Sequence, residues 1–412
     1  MAIELSPARI VALKTLLEAK DEGQFESSYV FDIAKDMHLS ERDKAFAAKL
    51  VKGVLCYSLP LEIAIHSICE KGTRIKRKVM VALKISAYEI CYLKKEKHAS
   101  VDQGVELVKS ISKNAAGLAN FILRRIDENC LPKEESLALG FSSEMASFLE
   151  KEMGEDEALE FMRMSCLEPK LSFEKNFNVV EADNSKQEQD ATEIIKNAKS
   201  GKVIIADDAA IEIAKSFANR SIKANEAPKI LEVGAGRGTK TALIQSFFAS
   251  KGASFGEYDV LDSSERRLLQ LKSRIKESAL KVDEIINADA STFRFADDQE
   301  SHLYDAIFID APCSGLGTLR RHPEIKTRFN VREIHEFAKI DLAILKNIST
   351  YVKRKGFIYY STCTITKEEN ICVINEFLSG TLGKGFTLEE IVSDAKLTEQ
   401  RDAHFCVCLK KL

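Results

Sequence analysis

The chain has 412 residues, of which 45% are hydrophobic and 30% charged, with a formal net charge of -3. That length supplies two or three domains with a core each, and the composition excludes extended disorder. Near-neutral charge gives no global argument for nucleic acid, and ten cysteines without a C-x-x-C pair argue against a zinc framework.

The opening stretch MAIELSPARIVALKTLLEAK alternates apolar and polar residues at helical spacing. It has neither a signal-peptide apolar block nor an 18-residue lipid-spanning run, so a cytoplasmic protein with no membrane partner is expected. Residues 1–130 read as helices throughout, in IVALKTLLEAK, ERDKAFAAKLVKGVLCYSLPLEIAIHSICEK, KRKVMVALKISAYEICYLKK and VDQGVELVKSI, and end where Pro132 stops the last one. Lys71 to Arg125 carries 13 Lys/Arg against 4 Asp/Glu, which suits either a solvated face or an RNA-binding one. Residues 131–200 reverse this, with 8 against 16, and are expected to form a small connecting subdomain.

From residue 201 onward the apolar runs KVIIAD, PKILEV, YDVLD, EIINAD, DAIFID and FIYYST are separated by helix-length stretches. This alternation predicts an α/β domain over 201–412 with a largely parallel sheet covered on both faces, whose ligands lie beyond the carboxyl ends of the strands. In KILEVGAGRGTKTALIQSF a strand, a turn with Gly234, Gly236 and Gly238, and a helix follow one another. Such a turn brings backbone amides at a helix start close to a ligand. The next strand ends at Asp262, where a carboxylate can accept from both ribose hydroxyls, and the third ends near Asp289. Either acid alone reads equally as a turn or helix cap; the three tips together point to a nucleoside cofactor.

DAIFIDAPCSG sets Asp310 at a strand tip and Cys313 just past Pro312. A helix over about Arg332 to Tyr351, expected to stop at Gly356, leads to the strand FIYYSTC with Cys363 at its tip. Strand, helix, strand makes the two strands neighbours, so both cysteines face one crevice although 50 positions apart. Buried structural cysteine is the alternative for either alone. The flanking sequences SGLGTLRR and TITKEEN are not those of a core, and with no further His or Cys nearby no metal is expected.

DAPCSGLGTLRRHPEIK and YSTCTITKEEN resemble the two signature motifs of the Sun-type RNA cytosine-5 methyltransferases. SERDKAFAAKLVKGVL and NFILRRI are similar to the NusB-like RNA-binding domain of the RsmB-like branch of that family. The resemblance implies a multidomain protein, an all-α NusB-like domain followed by a Rossmann-like catalytic domain that uses S-adenosylmethionine on RNA, specifically small-subunit ribosomal RNA. It further implies Cys363 as the nucleophile at carbon 6, Asp310 as the acid that contacts the base, and Cys313 as the cysteine that aids removal of the carbon 5 proton and release of the enzyme. That assignment is opposite to the DNA cytosine methyltransferases, whose nucleophile is the Pro-Cys thiol.

Carried over by position, Gly234, Ala235, Gly236, Arg237, Gly238, Thr239 and Lys240 form the cofactor loop, Asp262 the ribose acid, Asp289 the acid near adenine, with Arg267 and Asp310 completing the cofactor set. Arg320, Arg321 and Lys326 fall in the family's basic loop and are expected to contact RNA. The cofactor turn reads GAGRGTKT where the family has AAPGGKT, and the tail has DAHF in place of DGFF. Transfer RNA as substrate, a non-catalytic RNA-binding assembly factor and, more remotely, an NAD-dependent oxidoreductase are the competing readings.

Overall fold

Serine hydroxyls open two of the N-terminal helices: Ser40 Oγ accepts the Asp43 amide and Ser142 Oγ the Met145 amide, each at 3.2 Å. The computed structural model describes residues 4–18, 29–179, 190–295 and 302–412. The chain divides into two compact units, Met1–Leu167 with Leu319–Phe329, and Glu168–Thr318 with Asn330–Leu412. Residues 131–167 pack with the helical unit, and the chain from Glu168 to Thr318 belongs to the second unit. Helices Ser143–Met153 and Glu155–Met164 bury Met145, Leu149, Phe161 and Met162 and so extend the helical unit. Part of the polar run expected as connector, residues 180–189, lies outside the described residues.

The first unit is built from helices Pro7–Glu18, Tyr29–Asp36, Glu41–Cys56, Ser58–Ile68, Arg77–Cys91, Lys97–Ile111 and Ala116–Arg125, followed by the two just named. Val11, Leu50, Ile65, Leu83 and Ile122 are fully buried at its centre. Gly53 lets two helices approach closely, since a Cβ there would stand 1.9 Å from the Tyr88 ring. All the cations counted between Lys71 and Arg125 are exposed except Lys84, which turns inward to Glu62 at 2.5 Å and Ser58 at 2.9 Å. Arg9 grips Glu89 through two bonds, at 2.8 and 2.7 Å, and the Glu89 carboxylate is fully buried.

The second unit contains two sheets. Strands β1 (Phe173–Lys175) and β2 (Val203–Ile205) form a short antiparallel pair. The larger sheet holds β3 (Lys229–Val233), β4 (Glu257–Asp262), β5 (Ile285–Asn287), β6 (Tyr304–Asp310), β7 (Val352–Thr362), β8 (Phe386–Asp394) and β9 (Phe405–Lys411), in the order β5-β4-β3-β6-β7-β9-β8. Strands β3 to β7 run parallel, and β9 is antiparallel to both β7 and β8. KVIIAD therefore does not join the parallel sheet as expected; its apolar residues are claimed by Phe173–Lys175 instead. Beside that pair, the buried Asn176 amide donates to the Gly201 and Ser278 carbonyls at 2.8 and 3.3 Å.

Apolar side chains cover both faces of the large sheet. Ile307, Ile309, Leu345 and Tyr360 lie on one, and Phe217, Ile230, Phe308 and Tyr359 on the other. The helix expected at Arg332–Tyr351 spans Val331–Ile348, and Asn330 caps its start. Gly356 is not its C-cap. It sits within β7, where a Cβ would come 2.8 Å from the Asp305 carbonyl oxygen, so glycine is needed there for strand approach. Strand β3 has β4 on one side and β6 on the other, so the chain order reverses at this point and opens a crevice beyond the tips of β3 and β6.

Arg9→Met, which leaves Glu89 buried without its main partner, is expected to destabilise the helical unit by about 3 kcal/mol in chemical denaturation. Arg9→Met/Glu89→Leu is expected to regain most of that loss. Equal loss in both variants would show that the ion pair matters only as packing.

Candidate active site

Sharp backbone reversal follows β3 because Gly234, Gly236 and Gly238 all take positive φ, at 77, 56 and 77°. At Gly234 the reason is steric as well, for a Cβ would stand 2.2 Å from the Asp310 carbonyl oxygen. Ala235 is buried, and Gly238 caps the helix Thr239–Ser250. Thr239 Oγ1 accepts from the Arg274 guanidinium at 3.0 Å. The Gly236 amide donates to Asp262 Oδ2 and the Ser264 amide to Asp262 Oδ1, both at 2.8 Å, while the Asn287 side chain holds the Asp262 carbonyl at 2.9 Å.

These contacts test the expected cofactor. A carboxylate has about four acceptor sites, so two amides fix Asp262 at the tip of β4 and leave lone pairs for vicinal hydroxyls. Glycines without side chains and the amides of a helix start lie beside it, a donor set that fits a nucleoside. Asp289 is exposed past β5, its Oδ1 accepting from the Ser291 amide at 2.8 Å and hydroxyl at 2.7 Å. Arg237 is half-buried, and burial followed by the neighbouring charges of Arg267 and Arg266 pushes its pKa down. Arg267 itself is exposed.

Strand β6 carries the other half of the site. Pairing Asp310 with Ser361 in parallel register brings the tips of β6 and β7 side by side, and the Ala311 amide continues the ladder to the Ser361 carbonyl at 2.8 Å. Cys313 and Cys363 consequently meet, with sulfurs 3.1 Å apart and the Cys363 amide donating to Cys313 Sγ at 3.3 Å. The Cys363 contact and then burial push the Cys313 thiol well up. Lys240 donates to Asp310 Oδ2 at 2.5 Å. Burial opposes the Lys240 charge, but the charge and hydrogen bond of Asp310 outweigh it and raise the pKa. Residues from the glycine turn and both cysteine motifs thus share one crevice.

Several supporting residues had no role in the sequence reading. Glu369, fully buried, accepts the Ser314 amide at 2.6 Å and hydroxyl at 2.7 Å, and the hydroxyls of Thr366 and Thr364 at 2.6 and 3.1 Å. One carboxylate therefore clamps the loop after Cys313 to the loop after Cys363; the acids in TITKEEN were its signal. Tyr360 hydroxyl lies 2.7 Å from the Glu369 carbonyl oxygen and 3.1 Å from Asp341 Oδ2. A hydroxyl has one proton for those two acceptors, so a protonated Asp341 completes the pattern, consistent with its pKa being pushed up to about 8, chiefly by burial. His404, from DAHF, is buried with Nε2 3.9 Å from Asp207 Oδ1, and burial, then the Lys240 charge, lowers its pKa.

The basic loop departs from expectation. Arg320 and Lys326 are buried, at 5% and 6% exposure, and Arg321 is half-buried. Lys326 points into the helical unit, where its ammonium donates to the Leu139 carbonyl at 2.9 Å. It is therefore not an open contact for RNA, because its proton donors are already engaged inside.

Fold and site together define a Rossmann-like methyltransferase of the S-adenosylmethionine-dependent class, joined to a NusB-type helical unit. Residues 220–403 match the model of the 16S rRNA methyltransferase RsmB/F family, and residues 6–128 that of the NusB family. The catalytic unit is thus similar to the RsmB/F family, and the helical unit ahead of it to the NusB family. It is 25% identical over 403 residues to the probable ribosomal RNA small subunit methyltransferase B of Bacillus subtilis, covering 90% of this chain and 88% of that one. It is 24% identical to ribosomal RNA small subunit methyltransferase B of Proteus mirabilis, covering 90% and 91%. Among solved structures, PH0851 shares the fold along the full length of both chains, with a TM-score of 0.75 at 18% identity. NSun6 from Pyrococcus horikoshii, solved with SFG, has a TM-score of 0.52 at 15% identity and covers 66% of this chain and 98% of its own. Among the described residues no helix is long and apolar enough to cross a membrane, and no group of three or more His, Cys, Asp or Glu could hold a metal.

Asp341 makes stability depend on pH. Its folded pKa of about 8 stands above the roughly 3.9 of an unfolded Asp, so the native state holds a proton that the unfolded state has lost. Stability therefore falls as pH rises between those values. Glu232, raised to about 7 by burial, adds to the fall at lower pH. Melting temperature is expected to keep dropping from about pH 7 to 8 in the wild type and to level off there in Asp341→Asn; parallel curves would refute a protonated Asp341.

Proposed function

We propose that the protein methylates carbon 5 of a cytosine in small-subunit ribosomal RNA through a covalent bond between Cys363 and carbon 6 of the ring. The observation that carries this reading is the adjacency of Cys313 and Cys363, whose sulfurs stand 3.1 Å apart. Carbon 5 of cytosine is a poor nucleophile until a thiolate has added at carbon 6. When bound, S-adenosylmethionine supplies the electrophilic methyl group. Gly234 to Lys240, Asp262 and Asp289 would hold it, Asp262 through the ribose hydroxyls and Asp289 through the adenine end.

Cys363 adds to carbon 6 while the ring takes up a proton at nitrogen 3. Asp310 faces that edge, and with Oδ2 paired to Lys240 its Oδ1 remains for the base. The Cys363 thiol proton passes by way of Asp310 to nitrogen 3 and returns by the same route as the ring is released, while Cys313, its own proton given up to water, is the base for the carbon 5 proton once the methyl is in place. Loss of that proton expels the Cys363 thiolate. The exposed cations of Lys71 to Arg125 bind the RNA backbone, and Arg321 adds to that grip. Chemistry on a base requires it to leave the stack, so the target is an unpaired or flipped cytosine. The names of the B. subtilis and P. mirabilis relatives favour ribosomal over transfer RNA, and with it a cytoplasmic place of work.

With labelled S-adenosylmethionine, small-subunit ribosomal RNA is expected to gain 5-methylcytosine and transfer RNA none. Cys363→Ala is expected to lose at least about a thousandfold in rate. Cys313→Ala is expected to accumulate a protein–RNA adduct that survives denaturing gels, because attack proceeds and release stalls. Undiminished transfer by Cys363→Ala would overturn the nucleophile assignment, and activity in Cys313→Ala without an adduct would remove Cys313 from release.

A further inference from the structure

The helical unit contains a second cluster of nucleophilic side chains that the methylation chemistry does not use. Cys56 is the last residue of helix Glu41–Cys56, and Cys166 follows helix Glu155–Met164. Lys326, on the segment Leu319–Phe329 that folds into the same unit, places its ammonium 3.2 Å from Cys166 Sγ and 3.4 Å from Cys56 Sγ. The same nitrogen lies 4.1 Å from the centroid of the Phe141 ring. The turn that presents the Leu139 carbonyl to Lys326 needs glycine at 140, where φ is 85° and a Cβ would stand 2.2 Å from the Cys56 carbonyl oxygen. This is a built site with three chain segments converging on one cation.

A buried ammonium requires a counter-charge, and among the described residues no carboxylate pairs with Lys326. The anion at hand is a thiolate. Cys166 is drawn down to about 6, first by its hydrogen bond with Cys56, against burial, and then by the Lys326 charge, with a further bond from Tyr57. Cys56 is pushed up by that same bond and by burial, and keeps its proton. One proton thus serves two sulfurs at neutral pH. A thiolate next to a cation, with a second thiol in contact, is the arrangement that reacts with peroxide and then resolves.

We propose that Cys56 and Cys166, seated on Lys326, form a peroxide-reactive dithiol that closes to a reversible disulfide. The Cys166 thiolate attacks one peroxide oxygen, the O–O bond breaks, and hydroxide leaves and is protonated to water. Cys56 then attacks the sulfur of the resulting sulfenic acid; the S–S bond forms, and hydroxide departs with the Cys56 proton as a second water. The two thiols lose two electrons in total and the peroxide gains them. The disulfide ties the end of helix Glu41–Cys56 to the chain after Glu155–Met164 and takes the counter-ion from Lys326. Lys326 lies on the stretch of chain that leaves the Cys313 motif, so the oxidation state of the pair bears on how that stretch is held.

The test treats the full-length protein with hydrogen peroxide near pH 7, alkylates free thiols and maps peptides by mass spectrometry. A Cys56–Cys166 linked peptide that dithiothreitol removes is expected, formed before the exposed Cys372 is oxidised. Mapping separates it from any link between Cys313 and Cys363. In Cys56→Ser, dimedone is expected to trap a sulfenic acid on Cys166. Lys326→Gln is expected to slow linkage roughly tenfold or more, with recovery near about pH 9.5, whereas Lys326→Arg, which keeps the charge, links at close to the wild-type rate. Three outcomes would overturn the proposal: Cys372 oxidised with no linked peptide, a nitrogen–oxygen–sulfur bridge from Lys326 in place of the disulfide, or an unchanged rate in a folded Lys326→Gln.

Discussion

The catalytic unit depends on the register between β6 and β7. Asp310 opposite Ser361 fixes where each strand ends, and the two loops that leave those ends then have no choice but to run together. Glu369 completes the constraint. Its carboxylate holds Ser314 from one loop and Thr364 and Thr366 from the other, in a site with no exposure to water. Four hydroxyl and amide donors offset the cost of burying that acid. Residues 50 positions apart are thereby held as a pair, with their sulfurs in contact.

Much of this geometry was legible in the sequence because strand tips are marked by composition. An apolar run ending in Asp or Cys gave Asp262, Asp310 and Cys363, Pro312 just past the second marked the turn that presents Cys313, and the βαβ handedness rule made the cysteine strands neighbours. What was not legible depended on partners distant in the chain. Val203–Ile205 looks like any buried strand, and only the position of Phe173–Lys175 decides that it leaves the parallel sheet. The cation in HPEIK reads as surface charge until two thiols and a carbonyl are found around it. Glu369 was visible only as one acid in a polar run.

Two lysines show how similar chemistry takes separate roles. Lys240 finds a carboxylate, and its pairing with Asp310 orients an acid at the mouth of the crevice. Lys326 finds no carboxylate among the described residues and is left with sulfur. In both cases the cation is removed from open water and organises the group beside it. The first holds the acid at a strand tip; the second sits against two thiols.

The central claim is that Cys363, and not Cys313, bonds to the ring. A small-subunit RNA carrying 5-fluorocytosine at the modified position blocks loss of the carbon 5 substituent and traps the enzyme after methyl transfer. Peptide mapping of the trapped complex is expected to find the RNA on Cys363. Attachment at Cys313, or a trapped complex that forms equally in Cys363→Ala, would contradict the account.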